Sequence, residues 1–180
     1  MVRMVETMLF LARADHDEIA LTTPELDASF ELQRIAEYFE GPALDAGVEF
    51  AVSGAGVVIA DAVLFRRVVG NLVSNALRYT PRGRTIKLDA VQSENGMTVT
   101  VSNPGSGIDE QDLPRLFERF YRSDKSRSSS GTSAGLGLAI VKSIMKLHGG
   151  TAAVHSTSDR VTFTLFFPRQ GRRPANTGTS

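Results

Sequence analysis

The chain has 180 residues with 20 basic and 20 acidic side chains, and 42% of it is apolar, enough for one buried core and too little for a membrane protein. The longest clean apolar stretch, Met8 to Ala12, falls far short of the roughly 20 residues of a spanning helix, and acidic Glu6 interrupts the N-terminal segment that a signal peptide would need. Cysteine is absent, which excludes disulfides, thiolate metal sites and cysteine nucleophiles, and only His16, His148 and His155 supply imidazoles. A soluble, cytoplasmic single domain is expected.

Residues 1–14 place Met1, Val5, Met8 and Ala12 at helical spacing, with Val2 and Leu9 alongside. A helix this short must pack on something. His16 to Thr23 reads as a turn with a β-prone piece, and Pro24 opens the next element. Leu26, Phe30, Ile35, Ala36 and Phe39 suit a second helix that Gly41-Pro42 interrupts. Val48 to Val52 and Val57 to Ala60 read as strands joined by Ser53-Gly54-Ala55-Gly56. Asp61 is the expected N-cap of a long helix reaching Tyr79, where Pro81-Arg82-Gly83 breaks it.

Thr85 to Val91 and Met97 to Ser102 alternate as a hairpin around Glu94-Asn95-Gly96. A loop with Pro104, Gly105 and Gly107 follows, then a short helix from about Asp112 to Phe120. Ser123 to Ala134 is rich in serine and glycine, with almost no apolar side chains to bury, and is expected to be mobile without a ligand. A helix from Gly135 ends at Gly149-Gly150, Thr151 to His155 and Val161 to Phe167 complete the strands, and residues 169–180 read as a disordered tail. Strands and helices in this non-repeating order predict an α/β sandwich, one mixed sheet with helices on one face.

The zero net charge conceals an asymmetry. Residues 1–61 carry 3 basic and 12 acidic side chains, whereas residues 62–180 carry 17 and 8. A basic C-terminal part suggests an anionic ligand. The arginines sit beside glycines and asparagines instead of along an aromatic stripe, which suits a phosphate-bearing small ligand better than nucleic acid.

Three segments carry the chemistry. In the long helix, Leu64, Val68, Leu72, Val73 and Ala76 form an apolar face, while Arg67, Asn71, Asn75 and Arg78 share another. Asparagine costs about half a kcal/mol in a helix interior, so two in register need a reason: either a plain solvated face, or amide oxygens for a hard cation beside an arginine for phosphate. The second segment is Asn103-Pro104-Gly105-Ser106-Gly107-Ile108, where glycines let backbone approach a flat ligand. The third runs from Arg119-Phe120-Tyr121-Arg122 through Arg127 to Gly135-Leu136-Gly137-Leu138, and it opens a helix N-terminus suited to phosphate.

In this order, Asn71 and Asn75, then Asn103-Pro-Gly-Ser-Gly, then Phe117 to Phe120, then Gly135-Leu-Gly-Leu, the segments resemble the N, G1, F and G2 boxes of sensor histidine kinases over about residues 1–168. The run Phe117-Glu-Arg-Phe-Tyr-Arg-Ser-Asp, with Arg127 and Leu138-Ala-Ile-Val-Lys, is similar to the subgroup that includes heavy-metal-sensing kinases. The resemblance implies a two-layer α/β sandwich of the histidine-kinase and gyrase ATPase type, with residues 16–168 as an ATP-binding catalytic domain and residues 1–15 as the end of a dimerisation-type helix. It implies ATP and Mg²⁺ as cofactors, Asn75 as metal ligand and Asn71 near metal and phosphates. Arg78 and Tyr79 would line the phosphate and ribose side. Asn103, where relatives mostly carry Asp, would accept from the adenine amino group. Gly105, Gly107 and Ile108 would pass the base. Arg122 and Arg127 would reach the phosphates, Gly135 and Gly137 would form a lid hinge with Leu136 and Leu138 beside them at the nucleotide, and Phe117 and Phe120 would pack the lid root. Catalysis would rest on Asn71, Arg78, Arg122 and Arg127.

The phosphoacceptor histidine of the family has no counterpart. His16 follows the helical stripe instead of lying in it and reads as a surface turn residue. The acceptor is therefore expected on a dimerisation domain in another chain or a missing N-terminal segment, docked through the stripe Met1, Val5, Met8 and Leu9, with a response regulator downstream and membrane anchorage only in full-length relatives. Arg160 stands where the family usually has glycine. Two rivals remain: an ATP hydrolase, which would carry Glu where Asn71 stands, and a non-catalytic, anti-sigma-like nucleotide- or partner-binding remnant.

Overall fold

The computed structural model describes residues 2–16, 19–122 and 135–169. In chain order these form α1 (Val2–Asp15), β1 (Glu25–Asp27), α2 (Ala28–Tyr38), α3 (Glu40–Ala46), β2 (Glu49–Ala55), β3 (Val57–Ile59), α4 (Ala62–Tyr79), β4 (Thr85–Ser93), β5 (Gly96–Pro104), a single 3-10 turn (Leu113–Arg115), α5 (Gly137–Leu147), β6 (Thr151–Ser156) and β7 (Arg160–Pro168). The expected mobile segment 123–134 and all of the tail beyond Arg169 lie outside the described residues.

The main sheet has five strands in the order β2-β4-β5-β7-β6, parallel between β2 and β4 and antiparallel elsewhere. Strand alternation gives it two unlike faces. Ile86, Leu88 and Ala90 of β4, Met97, Val99 and Val101 of β5, and Val161, Phe163, Leu165 and Phe167 of β7 are buried beneath the helices. The opposite face carries Thr98, Thr100 and Ser102 paired with Phe166, Thr164 and Thr162, and the Ser102 and Thr162 hydroxyls lie 2.9 Å apart. The mixed sandwich expected from the element order is the one observed.

Helix α4 is the centre of the helical layer. The Asp61 carboxylate accepts from the Val63 and Leu64 N–H groups, both at 3.0 Å, which caps the helix as expected. Leu64, Phe65, Val68, Val69, Leu72, Val73 and Ala76 are buried, and full burial of a Val, Leu or Phe side chain stabilises by about 1.5–3 kcal/mol. Phe65 packs on Phe167 with ring centroids 5.4 Å apart, joining helix to sheet.

Several expectations need correction. Leu26 lies in β1, and the second helix begins only at Ala28, because the Asp27 side chain caps it by accepting from Phe30 N–H. Phe30 is 59% exposed, outside the core. The helix breaks at Phe39, and Gly41-Pro42 falls in the first turn of a separate helix α3, where a proline lacks nothing the helix uses. Ser53-Gly54-Ala55 continues β2, so that only Gly56 separates it from β3. β3 leaves for a second, two-stranded sheet with β1. The Gln92 side chain ties that ribbon to β4: its Oε1 accepts from Val57 N–H at 2.6 Å and its Nε2 donates to Val57 O. The helix expected at 112–120 is one 3-10 turn followed by i to i+3 bonds such as Glu118 N–H to Arg115 O, and the chain then turns away at Phe120, whose φ is 63°.

On α1 the buried side chains are Leu11 and Ala14, with Phe10 half-buried, while Val5, Met8, Leu9 and Ala12 are exposed. The helix is apolar on more than one side, so periodicity finds its longest stripe and not the side that meets the domain. His16 is exposed at the end of α1, as expected. Among the described residues no helix is long and apolar enough to cross a membrane.

Glu31 and His148 are among the polar side chains buried in this core. Glu31 of α2, 4% exposed, receives Arg66 of α4 through Nε at 2.6 Å and Nη2 at 2.8 Å, and this fork holds its carboxyl below the usual carboxylate range. His148 accepts at Nε2 from Asp61 N–H at 3.0 Å and donates from Nδ1 to Ile144 O at 2.8 Å, and burial lowers its pKa. That leaves a neutral imidazole whose protonation would set two donors facing each other at the start of α4.

Glu31→Gln should therefore destabilise the fold by about 1–3 kcal/mol, tempered by the partly exposed Arg66, as read by denaturant unfolding. The His148 contribution is complete above the ordinary imidazole value of 6.5 and declines as pH falls through it towards the folded-state value. Thermal melts from pH 7.5 to 5.5 should show this loss, and His148→Gln, which keeps an acceptor for Asp61 N–H, should flatten it.

Candidate functional site

The polar side of α4 forms one wall of a cleft of about 250 Å³. Asn71, Ser74, Asn75, Arg78 and Tyr79 line that wall, and Asn103 with Val161 and Phe163 of β7 lines the floor. The loop after β5 contributes Ser106, Gly107, Ile108, Asp109, Asp112 and Leu116, and Tyr121, Arg122, Gly135, Gly137 and Leu138 close the remaining side.

Each wall is fixed locally. Asn71 donates from Nδ2 to Arg67 O at 2.7 Å, which leaves Oδ1 as its open acceptor. That oxygen lies 3.3 Å from where a side chain would start on Gly137, so the first turn of α5 approaches α4 closely because this position is glycine. No side chain caps α5 among the described residues, so its first N–H groups are left towards the cleft. Asn75 makes no hydrogen bond among the described residues. Asn103, 3% exposed, donates from Nδ2 to Pro104 O at 3.1 Å and leaves Oδ1 as acceptor.

The most telling atom is Arg78 Nη2. It is buried and has no hydrogen-bond partner among the described residues. A guanidinium nitrogen in that state costs on the order of 1–3 kcal/mol or more unless something accepts from it. The guanidinium stands 6.0 Å from the Tyr79 ring.

The loop after β5 is held by the β6–β7 turn. Gly105 N–H donates to Asp159 O at 3.0 Å, Gly107 N–H to Ser158 O at 3.3 Å, and Ile108 N–H to Ser156 Oγ at 2.8 Å. A side chain at Gly105 would meet Tyr79 O at 2.7 Å, and one at Gly107 would meet Thr157 O at 2.1 Å. The two glycines are thus demanded by neighbouring backbone, and only Gly107 lines the cleft. Leu136 also stays out of it, buried in the core at 5% exposure. Arg127 lies outside the described residues.

Arg67 shares the α4 face by spacing but not by use. Its guanidinium stacks on the Phe10 ring of α1 at 4.2 Å. Phe117 is half-buried and meets Phe163 edge-on at 6.3 Å, whereas Phe120 is 52% exposed and packs no root. Arg160 has a physical place: it pairs with Pro104 and reaches Ser102 on the uncovered face at 3.4 Å, away from the cleft lining.

Sequence reasoning missed Ser74, Ser106, Asp109, Asp112, Leu116, Tyr121, Val161 and Phe163. Val161 and Phe163 arrive through strand pairing distant in sequence. Tyr121 and Asp112 had a signal, since an aspartate opening a turn beside an arginine-flanked tyrosine is a ready hydrogen-bond pair, and the two are joined at 2.6 Å.

Among the described residues the cleft therefore offers a guanidinium nitrogen without an acceptor, open amide oxygens, a helix N-terminus without a side-chain cap and a part-apolar floor, which together suit a phosphorylated ligand with a flat ring. Comparison with known proteins agrees. The family described as "Histidine kinase-, DNA gyrase B-, and HSP90-like ATPase" matches residues 60–171. Sensor protein IrlS of Burkholderia pseudomallei is 48% identical over 167 residues, 92% of this chain and 36% of that protein. Sensor protein CzcS of Cupriavidus metallidurans is 42% identical over 95% of this chain and 36% of its own length. The chain thus spans little more than a third of these relatives. Among solved structures, the Acinetobacter baumannii histidine kinase AdeS shares the fold at a TM-score of 0.79 and 21% identity, over 93% of this chain and 77% of that one. Full-length ShkA in complex with AMPPNP superposes at 0.80 with 27% identity, over 91% of this chain and 35% of that one. With its family match covering the site helix, the cleft and the strands beneath it, this chain belongs to the histidine kinase-, DNA gyrase B- and HSP90-like ATPase family.

Proposed function

We propose that this chain is the ATP-binding catalytic part of a sensor histidine kinase and transfers the γ-phosphoryl group of ATP to a histidine on a separate dimerisation domain or segment. The buried Nη2 of Arg78, without a partner among the described residues, carries the reading, because a phosphate oxygen in the cleft would complete it. The ATPase family match and the AMPPNP complex of ShkA support the same ligand class, and the relatives named sensor proteins support the signalling role.

Within the cleft, Asn103 Oδ1 would accept from the adenine amino group over the floor of Val161 and Phe163. Arg78, Arg122 and the N–H groups at Gly135 to Leu138 would hold phosphate oxygens. The residues fit Mg²⁺ as well: the described residues contain no cluster of three or more His, Cys, Asp or Glu, so a hard cation would enter with the phosphates and take the Asn75 amide oxygen, with Asn71 nearby. When bound it would neutralise charge on the transferring group. The chain's own work is then orientation and charge stabilisation. Asn71 stands where the hydrolases of this family would use a carboxylate to activate water, and an amide takes up no proton. That favours transfer over hydrolysis. The receiving histidine helix and a response regulator are the implied partners.

Arg78→Ala should weaken ATP binding by about 10–100-fold, the equivalent of one charged hydrogen-bonded contact, and Asn75→Ala should do so only when Mg²⁺ is present, both by calorimetry. Incubated alone with labelled ATP, the chain should acquire no acid-labile phosphate. Mixed with a separate histidine-bearing dimerisation domain, it should label that domain. Tight Mg-ATP binding with no transfer would point to a nucleotide-binding module without kinase activity, and self-labelling lost in His16→Ala would overturn the reading of His16.

A further inference from the structure

Phe120 is the one non-glycine residue with positive φ among the described residues, at 63°, a conformation that is an outlier for a bulky side chain and persists only where its surroundings hold it. Two contacts do so. Phe120 N–H donates to Gly135 O at 3.0 Å, which ties the turn to the residue two positions before α5. Directly after it, the Tyr121 hydroxyl donates to Asp112 Oδ1 at 2.6 Å, and the Arg115 guanidinium lies over the Tyr121 ring at 4.5 Å.

Asp112 would ordinarily serve the turn it begins. It precedes the 3-10 turn Leu113–Arg115, yet its side chain caps no N–H there. The carboxylate is turned towards Tyr121 instead. The reversed backbone at Phe120 sends that side chain to solvent and brings both Tyr121 and Arg122 to the cleft.

We propose that Asp112 and Tyr121 are positioning residues, a carboxylate–phenol pair that holds the left-handed turn at Phe120 so that Arg122 faces the phosphates of the nucleotide. This rests on the nucleotide reading of the cleft. The pair's effect is on the phosphate contact that Arg122 makes.

Calorimetry with ATP and with adenosine, on the full chain, tests this. Tyr121→Phe and Asp112→Asn should each lower ATP affinity about tenfold and leave adenosine affinity and the thermal midpoint nearly unchanged. In an Arg122→Ala background, adding Tyr121→Phe should cost nothing further, because the residue through which it acts is gone. Equal losses for ATP and adenosine, or a full additional loss in the Arg122→Ala background, would overturn the positioning role and make the pair merely structural. Unchanged ATP affinity in both single variants would also overturn it. Failure of the unaltered chain to bind ATP would instead overturn the nucleotide reading beneath it.

Discussion

The structure depends on α4 being buried on one side only. Seven apolar residues from Leu64 to Ala76 anchor the helix against the sheet, and that anchoring is what makes its polar side rigid enough to act as a wall. Arg78, Asn75 and Asn71 are held at a fixed height over the floor because Phe65, Val68 and Leu72 have no freedom to move. The polar side is unfavourable by itself: two asparagines in a helix interior and a buried guanidinium nitrogen without an acceptor among the described residues all work against folding. Such local conflict in an otherwise consistent fold marks a functional site.

The remaining elements adjust this wall. His148 and Asp61 fix where α4 begins, and the Glu31 fork to Arg66 fixes its roll against α2. From the other side α1 reaches α4 through Phe10 and Arg67, and Asp15 pairs with Arg119 just before the loop that carries Tyr121 and Arg122. The same short helix thus contacts α4 and the segment before Tyr121 while presenting Met4, Val5, Met8 and Leu9 outward.

Much of this is legible in the sequence because it is written in local signals. The Asp61 cap, the α4 stripe and the β4–β5 hairpin need only neighbours a few residues away, and all three are where the spacing puts them. What is not legible depends on distant partners. Nothing near Val57 says that it pairs with Glu25–Asp27 and Gln92 instead of turning back on β2. Gly105 and Gly107 look like ligand-facing glycines, but Tyr79 O and Thr157 O are the atoms that exclude a side chain. Arg67 has the same period as Asn71 and is drawn away by an aromatic ring on α1. Val161 and Phe163 reach the cleft through strand order, which no local pattern encodes.

If the two-faced α4 is the nucleotide wall, its side chains must sense the ligand directly. The most direct measurement is to follow the side-chain amide signals of Asn71 and Asn75 and the guanidinium signal of Arg78 by nitrogen NMR during titration with ATP and Mg²⁺. All three should shift and saturate together, with the Arg78 signal sharpening as Nη2 gains an acceptor, while the Gln92 amide at the far ribbon stays still. Saturable ATP binding that leaves the Arg78 and Asn75 signals in place would contradict the assignment of this wall.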